Sequence, residues 1–142
     1  MLVDANLLIY AYVDSYRQHV AARTWLDAQL NGAARVGLPW LSLLAFMRVT
    51  SSPKVHAIPA SAAEACDQVA AWLGWDVVWV PSPGQQHARI LLDLVRRVGA
   101  RGNSTSDAHL AALAIEHGLT LCSADSDFAR FPGLRWSNPL AP

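Results

Sequence analysis

The chain has 142 residues, with eleven basic side chains against eleven acidic ones, and so no net charge. That length fits one domain able to fold without disulfides or a structural metal, and the charge balance excludes a protein that coats nucleic acid indiscriminately. The apolar share is 53%, yet no apolar run approaches the roughly 20 residues that span a membrane, and Leu7 to Val13 has no basic stretch before it, so no secretory signal is recognised. A soluble, unexported, cytoplasmic protein is expected. Six tryptophans in so short a chain point to an oligomer or a bound partner.

Leu2 and Val3 run straight into Asp4, Ala5 and Asn6, the pattern of a buried strand that delivers polar side chains at its carboxyl end. A helix is predicted from Leu7 to Val13 and a second from Tyr16 to Leu30, the latter ended by Asn31 and Gly32. Ala34 to Leu38 is a short strand closed by Pro39. Trp40 to Thr50 is an apolar helix stopped by Ser51, Ser52 and Pro53. Ser61 and Glu64 have capping-box spacing for a helix running to Leu73, and Asp76 to Val80 is the third strand. The cluster Pro81, Ser82, Pro83, Gly84 marks a turn before an amphipathic helix from Gln85 to Val98. Ser104 to Asp107 opens a helix through His117, with Ser104 as cap and Asp107 at its third position. Leu119 to Cys122 is a strand leading into Ser123, Ala124, Asp125, Ser126 and Asp127, and Leu134 to Trp136 is a final edge strand. Helices alternating with strands over residues 1–142 specify a single α/β domain with a mainly parallel sheet. Cys66 and Cys122 fall in a predicted helix and a predicted strand, which suits buried thiols in a reducing cytosol. Without a CxxC pair they form no zinc site.

In a parallel sheet with right-handed crossovers, strand carboxyl ends and the amino ends of the helices between them share one edge. Asp4 ends the first strand, Asp107 begins the helix before the fourth, and Asp125 follows that strand, so topology brings three carboxylates to one rim. Carboxylates that share a site repel unless protonated or bridged by a cation. An all-oxygen set, with Asn6 and Ser123 as neighbours, suits Mg²⁺ or Mn²⁺, which can orient and activate water against a phosphodiester. Setting three acids aside around an ion leaves eight against eleven basic residues, ten of them arginine, able to grip phosphates locally. Each acid also has a bland role: Asp107 can be a helix-cap acid, and Asp125 can form an Asx-turn or cap a short helix through Phe128. Asp4, ending a buried strand, is the hardest to explain without function.

Other chemistries find little support. The five histidines show no ligand spacing, and His109, two residues from Asp107, projects to another helix face. No GxSxG, GxGxxG or Walker A pattern occurs. Trp72, Trp75 and Trp79 fit core or interface, with base stacking as the other reading. Arg89, Arg96, Arg97 and Arg101 form either a basic face or plain solvated helix surface.

Three stretches together, Leu2 to Asn6, Ser106 to Ala114 and Gly118 to Phe128, followed by Phe128 to Leu134, resemble the PIN-domain family and specifically the VapC-type toxins of toxin-antitoxin pairs. The likeness covers nearly the whole chain. It implies a five-stranded parallel sheet flanked by helices in three layers, and a Mg²⁺-dependent endoribonuclease that cleaves cellular RNA to halt translation. It further implies inhibition by a cognate VapB-type antitoxin and assembly as a homodimer. By matching position, Asp4, Asp107 and Asp125 are its acidic residues, Asn6 and Ser123 polar neighbours, and Asp127 an auxiliary acid. One departure stands out: the family usually carries a further acid, most often Glu, on the helix after the second strand, and Trp40 to Thr50 has none. A single tightly held ion, recruitment of Asp127, or a catalytically silent binding module are the readings this opens, with Arg48 available to an RNA phosphate. A phosphatase-like Mg²⁺ hydrolase is the third functional class, and the lone Lys54 and incomplete DxD pattern speak against it.

Overall fold

The computed structural model describes residues 1–142. Its strands are β1 (Leu2–Val3), β2 (Val36–Gly37), β3 (Val78–Trp79), β4 (Thr120–Cys122) and β5 (Arg135–Ser137). The helices are α1 (Ala5–Tyr12), α2 (His19–Leu30), α3 (Trp40–Thr50), α4 (Ala62–Leu73), α5 (His87–Val98) and α6 (Asn103–Glu116), with a short 3₁₀ helix over Ser126–Arg130. The five strands pair in the order β3-β2-β1-β4-β5, and every pair is parallel.

That order has a functional consequence. From β1 the chain lays β2 and β3 to one side, then returns to place β4 and β5 on the other. The switch point therefore lies between β1 and β4, which are in register at Leu2 with Leu121 and Val3 with Cys122. In open parallel sheets the crevice outside the strand ends at such a point is where ligands bind. Asp4 and Ser123, the residues immediately beyond the two strands, stand at its mouth.

Successive strand side chains point to opposite faces. Val3, Val36 and Cys122 pack with Leu8, Leu26, Leu43, Phe46 and Trp72 on the side of α1 to α4. Leu2 and Leu121 pack with Leu94, Leu110, Leu113, Phe128 and Phe131 on the side of α5 and α6. Helices thus cover both faces of the sheet, as buried parallel strands require.

Local chemistry sets the boundaries. α3 spans the predicted residues, and the capping box at Ser61 is present, with Glu64 N donating to the Ser61 hydroxyl and Ser61 N to the Glu64 carboxylate. α1 starts at Ala5 instead of Leu7, because the Asp4 side chain caps it. α2 begins only at His19. α6 begins at Asn103, after Gly102 at φ 55°, which follows Gly99 at φ 62° closing α5. Two left-handed glycines so close together let the chain reverse sharply and carry the amino end of α6 back over the sheet edge. Ser104 is consequently inside the helix, its hydroxyl bonded to Arg101 N–H and C=O, and Asp107 lies in the second turn instead of the third capping position. Cys66 also departs from expectation: it sits on an exposed face of α4, while Cys122 is buried.

Candidate metal centre

Asp4 owes its position to two constraints at once. Its backbone N–H donates to Cys122 O at 3.0 Å, extending the β1–β4 ladder, and its side chain turns to cap α1. Oδ1 accepts from Ala5 N at 2.7 Å; Oδ2 accepts from Asn6 Nδ2 at 2.9 Å and from the Ser123 hydroxyl at 2.7 Å. Asn6 Nδ2 also lies 2.9 Å from the Ser123 oxygen, which further accepts from Asp125 N at 3.0 Å. Asn6 Oδ1 accepts from Ala124 N, and Trp136 Nε1 donates to Ser123 O. A fully buried serine thereby ties the strand carrying Asp4 to the loop carrying Asp125.

Asp107 approaches from α6. It shares with Asp4 a crevice of about 270 Å³ whose walls include Leu41, Ser42, Ala45 and Arg48 of α3, and Asn103 and Ser106 of α6. Arg130 Nη2 is 3.7 Å from Asp107 Oδ2, and its guanidinium also lies over the Phe131 ring. Asp125 caps the 3₁₀ helix through Asp127 N at 2.9 Å, so the bland reading of this residue is realised in the fold. Asp125 and Asp127 are exposed at the rim, within electrostatic reach of Asp107.

The electrostatics follow from this crowding. Burial pushes the Asp4 carboxyl above its ordinary 3.8; the Ser123 hydroxyl and Ala5 N–H oppose the rise, and the Asp125 charge adds to it. Asp107 is raised too, by burial first, then by Asp4 and Asp125, with Arg130 pulling the other way. Asp4 has no cationic partner and Asp107 has only Arg130, so two carboxyls pushed up by burial and neighbouring negative charge leave a negative balance that a divalent cation would neutralise. No three His, Cys, Asp or Glu side chains close on one point. Such an open, oxygen-only site fits Mg²⁺, which usually keeps several waters and takes only one or two protein carboxylates. Asp4 and Asp107 are the residues able to hold it.

One pairing escapes sequence reasoning. His87, buried at the start of α5, sits with Nε2 3.0 Å from His109 Nδ1 and Nδ1 3.7 Å from Glu116. Glu116 also accepts from Gly84 N and Gln86 N. His109 and Glu116 are seven residues apart, two helical turns on one face, which was the available signal. This group clamps α5 against α6.

The family model of the PIN domain matches residues 1–134. The chain belongs to the PIN-domain family. This PIN domain is 43% identical over 140 residues to Ribonuclease VapC37 of Mycobacterium tuberculosis, covering 99% of its own length and 97% of the relative's. It is 37% identical to Ribonuclease VapC33 of the same organism, covering 99% and 98%. Within the PIN domains it therefore groups with the VapC ribonucleases. Its fold is similar to that of Mycobacterium tuberculosis VapC20, a Sarcin-Ricin loop cleaving toxin, with TM-score 0.68, 19% identity and 94% and 98% of the two chains covered. VapBC-1 from nontypeable Haemophilus influenzae gives 0.69 at 16% identity, covering 99% and 98%.

Proposed function

We propose that this VapC-family ribonuclease is a Mg²⁺-dependent endoribonuclease toxin that cleaves phosphodiester bonds of cellular RNA, halts translation, and is neutralised by a cognate VapB-type antitoxin. The observation that carries the metal is the convergence of Asp4 and Asp107 on one crevice at the switch point of the sheet, both carboxyls raised by burial and neighbouring charge. Asp4 and Asp107 hold the ion, with Mn²⁺ as a substitute, and Asp125 and Asp127 add negative potential at the rim. Asn6 and Ser123 orient Asp4 by donating to its Oδ2. When bound, the ion lowers the pKa of its water and offsets charge on the phosphodiester. The antitoxin and a second copy of the chain have apolar surface to meet: Trp40 and Leu44, one turn apart on α3, are 51% and 55% exposed.

One observation favours a second reading, a silent PIN module that only binds: α3 presents no acid to the crevice. Partner-free protein incubated with total RNA and Mg²⁺ separates the two. Cleavage is expected with Mg²⁺ or Mn²⁺ and none with EDTA. Asp4→Asn loses more than the roughly 10- to 100-fold that changes outside the ligand shell cost. A wild type that stays inert under these conditions leaves the binding module as the surviving reading.

A further inference from the structure

The crevice face of α3 carries a charge of the unexpected sign. Leu41, Ala45 and Arg48 follow one another at helical spacing along this face, with Ser42 beside them. Arg48 is exposed and makes no ion pair or side-chain hydrogen bond. Arg23 is committed to Asp27, Arg97 to Asp93, Arg135 to the Gly118 carbonyl, and Arg130 to Asp107; Arg17, Arg96 and Arg101 have no such partner but do not line the crevice. Ser42 is buried, lines the same crevice, and its hydroxyl has no partner. A free guanidinium and an unpartnered hydroxyl thus face a space whose other wall bears two carboxylates.

The acceptor count on Asp4 limits what those carboxylates take. A carboxylate offers roughly four acceptor positions. Three hydrogen bonds, from Ala5, Asn6 and Ser123, already occupy Asp4, and the one position left serves one ion, not a bridge between two. Sites with two metals use the second ion to neutralise charge on the phosphate. Here that cation has no acid on α3 to hold it, whereas Arg48 offers a fork matched to phosphate oxygens.

We infer that Arg48 stands in for a second metal: the crevice takes one hard cation, and the Arg48 guanidinium grips the RNA phosphate beside it, with the Ser42 hydroxyl as a further donor. This rests on the nuclease reading of the site and names the residue that positions its substrate. Arg130 has a separate role, as the counter-charge of Asp107.

Two measurements test it without recourse to turnover. Calorimetric titration of partner-free protein with Mn²⁺ gives one ion per chain, and Arg48→Ala keeps that number with affinity no weaker. Binding of a short single-stranded RNA in EDTA, followed across salt concentrations, weakens in Arg48→Ala by about tenfold, and the slope of log K against log salt falls by about 0.7, the value for one lost phosphate contact on a single strand. Arg48→Lys restores the slope and only part of the affinity, because charge survives without the fork. Two Mn²⁺ per chain, or an Arg48→Ala variant with unchanged affinity and slope, overturns the inference. A wild type that grips RNA through Arg48 but never cleaves it sinks the nuclease reading and leaves the phosphate contact standing, so the two failures are told apart.

Discussion

Asp107 sits in the second turn of α6, beyond the reach of an N-terminal cap, and its charge is left to Arg130 at 3.7 Å. The macrodipole fades within the first turn, so burial and the neighbouring acids prevail and the carboxyl is raised. For a carboxyl raised on folding, the folded chain binds more protons than the unfolded one between the ordinary 3.8 and the raised value. Stability therefore falls as pH rises through that window, and the full cost persists above it. In EDTA at pH 7, Asp107→Asn is expected to melt a few degrees above wild type, the gain vanishing as pH drops to about 3.8. Equal melting temperatures at neutral pH would show that the charge is not a burden. That Asp4, Asn6 and Ser123 would lie together at one sheet edge was legible, because each closely follows a short apolar strand there. The setting of Asp107 was misread because Ser104 looks like a cap, while the left-handed Gly102 starts the helix earlier. The His109 and Glu116 spacing marks one face of α6 but does not name its partner, since the His87–His109 contact exists only once α5 lies on α6.

At the scale of elements, boundaries were readable where chemistry forces them. Pro39 and the Ser51-Ser52-Pro53 run bracket α3, and the Ser61 and Glu64 pair fixes the start of α4. Strand ends were not readable: Asp76 to Val80 is rich enough in β-branched and aromatic residues for a five-residue strand, but only Val78 and Trp79 pair. The pairing of β2 with β1 depends on Gly37 for a steric reason. A Cβ there would lie 2.8 Å from the Pro81 ring and 2.9 Å from the Met1 carbonyl, and the carbonyl belongs to backbone that cannot swing aside. Gly37→Ala is expected to cost about 1–3 kcal/mol in urea unfolding, the usual range for forced overpacking. An unchanged midpoint would mean that β1 and β2 can separate freely, contrary to the tight approach of Gly37 N to Met1 O at 2.9 Å.

For the molecule as a whole, the handedness of crossovers was enough to place the acidic segments on one rim, but not to order the strands. That β4 returns beside β1 is a matter of long-range packing, decided by Leu2 and Leu121 sharing one core and Val3 and Cys122 the other. Phe46 shows how that packing reaches the site: it is fully buried between the edges of Tyr12 and Trp72, on the helix that carries Ser42 and Arg48. Phe46→Ala is expected to cost about 3–5 kcal/mol, a large share of the roughly 5–15 kcal/mol of a typical domain. Denaturant unfolding checks it, and a cost near zero would mean that α3 is held by something other than its core face. The strands themselves are only two or three residues long. So thin a ladder cannot by itself keep the acidic floor level; the helices clamped on either side do so. Under deuterium labelling, the slowest amides then belong to the middles of α1 and α6, and agents that loosen helix contacts blur the alignment of Asp4 with Asp107 well before the chain comes apart.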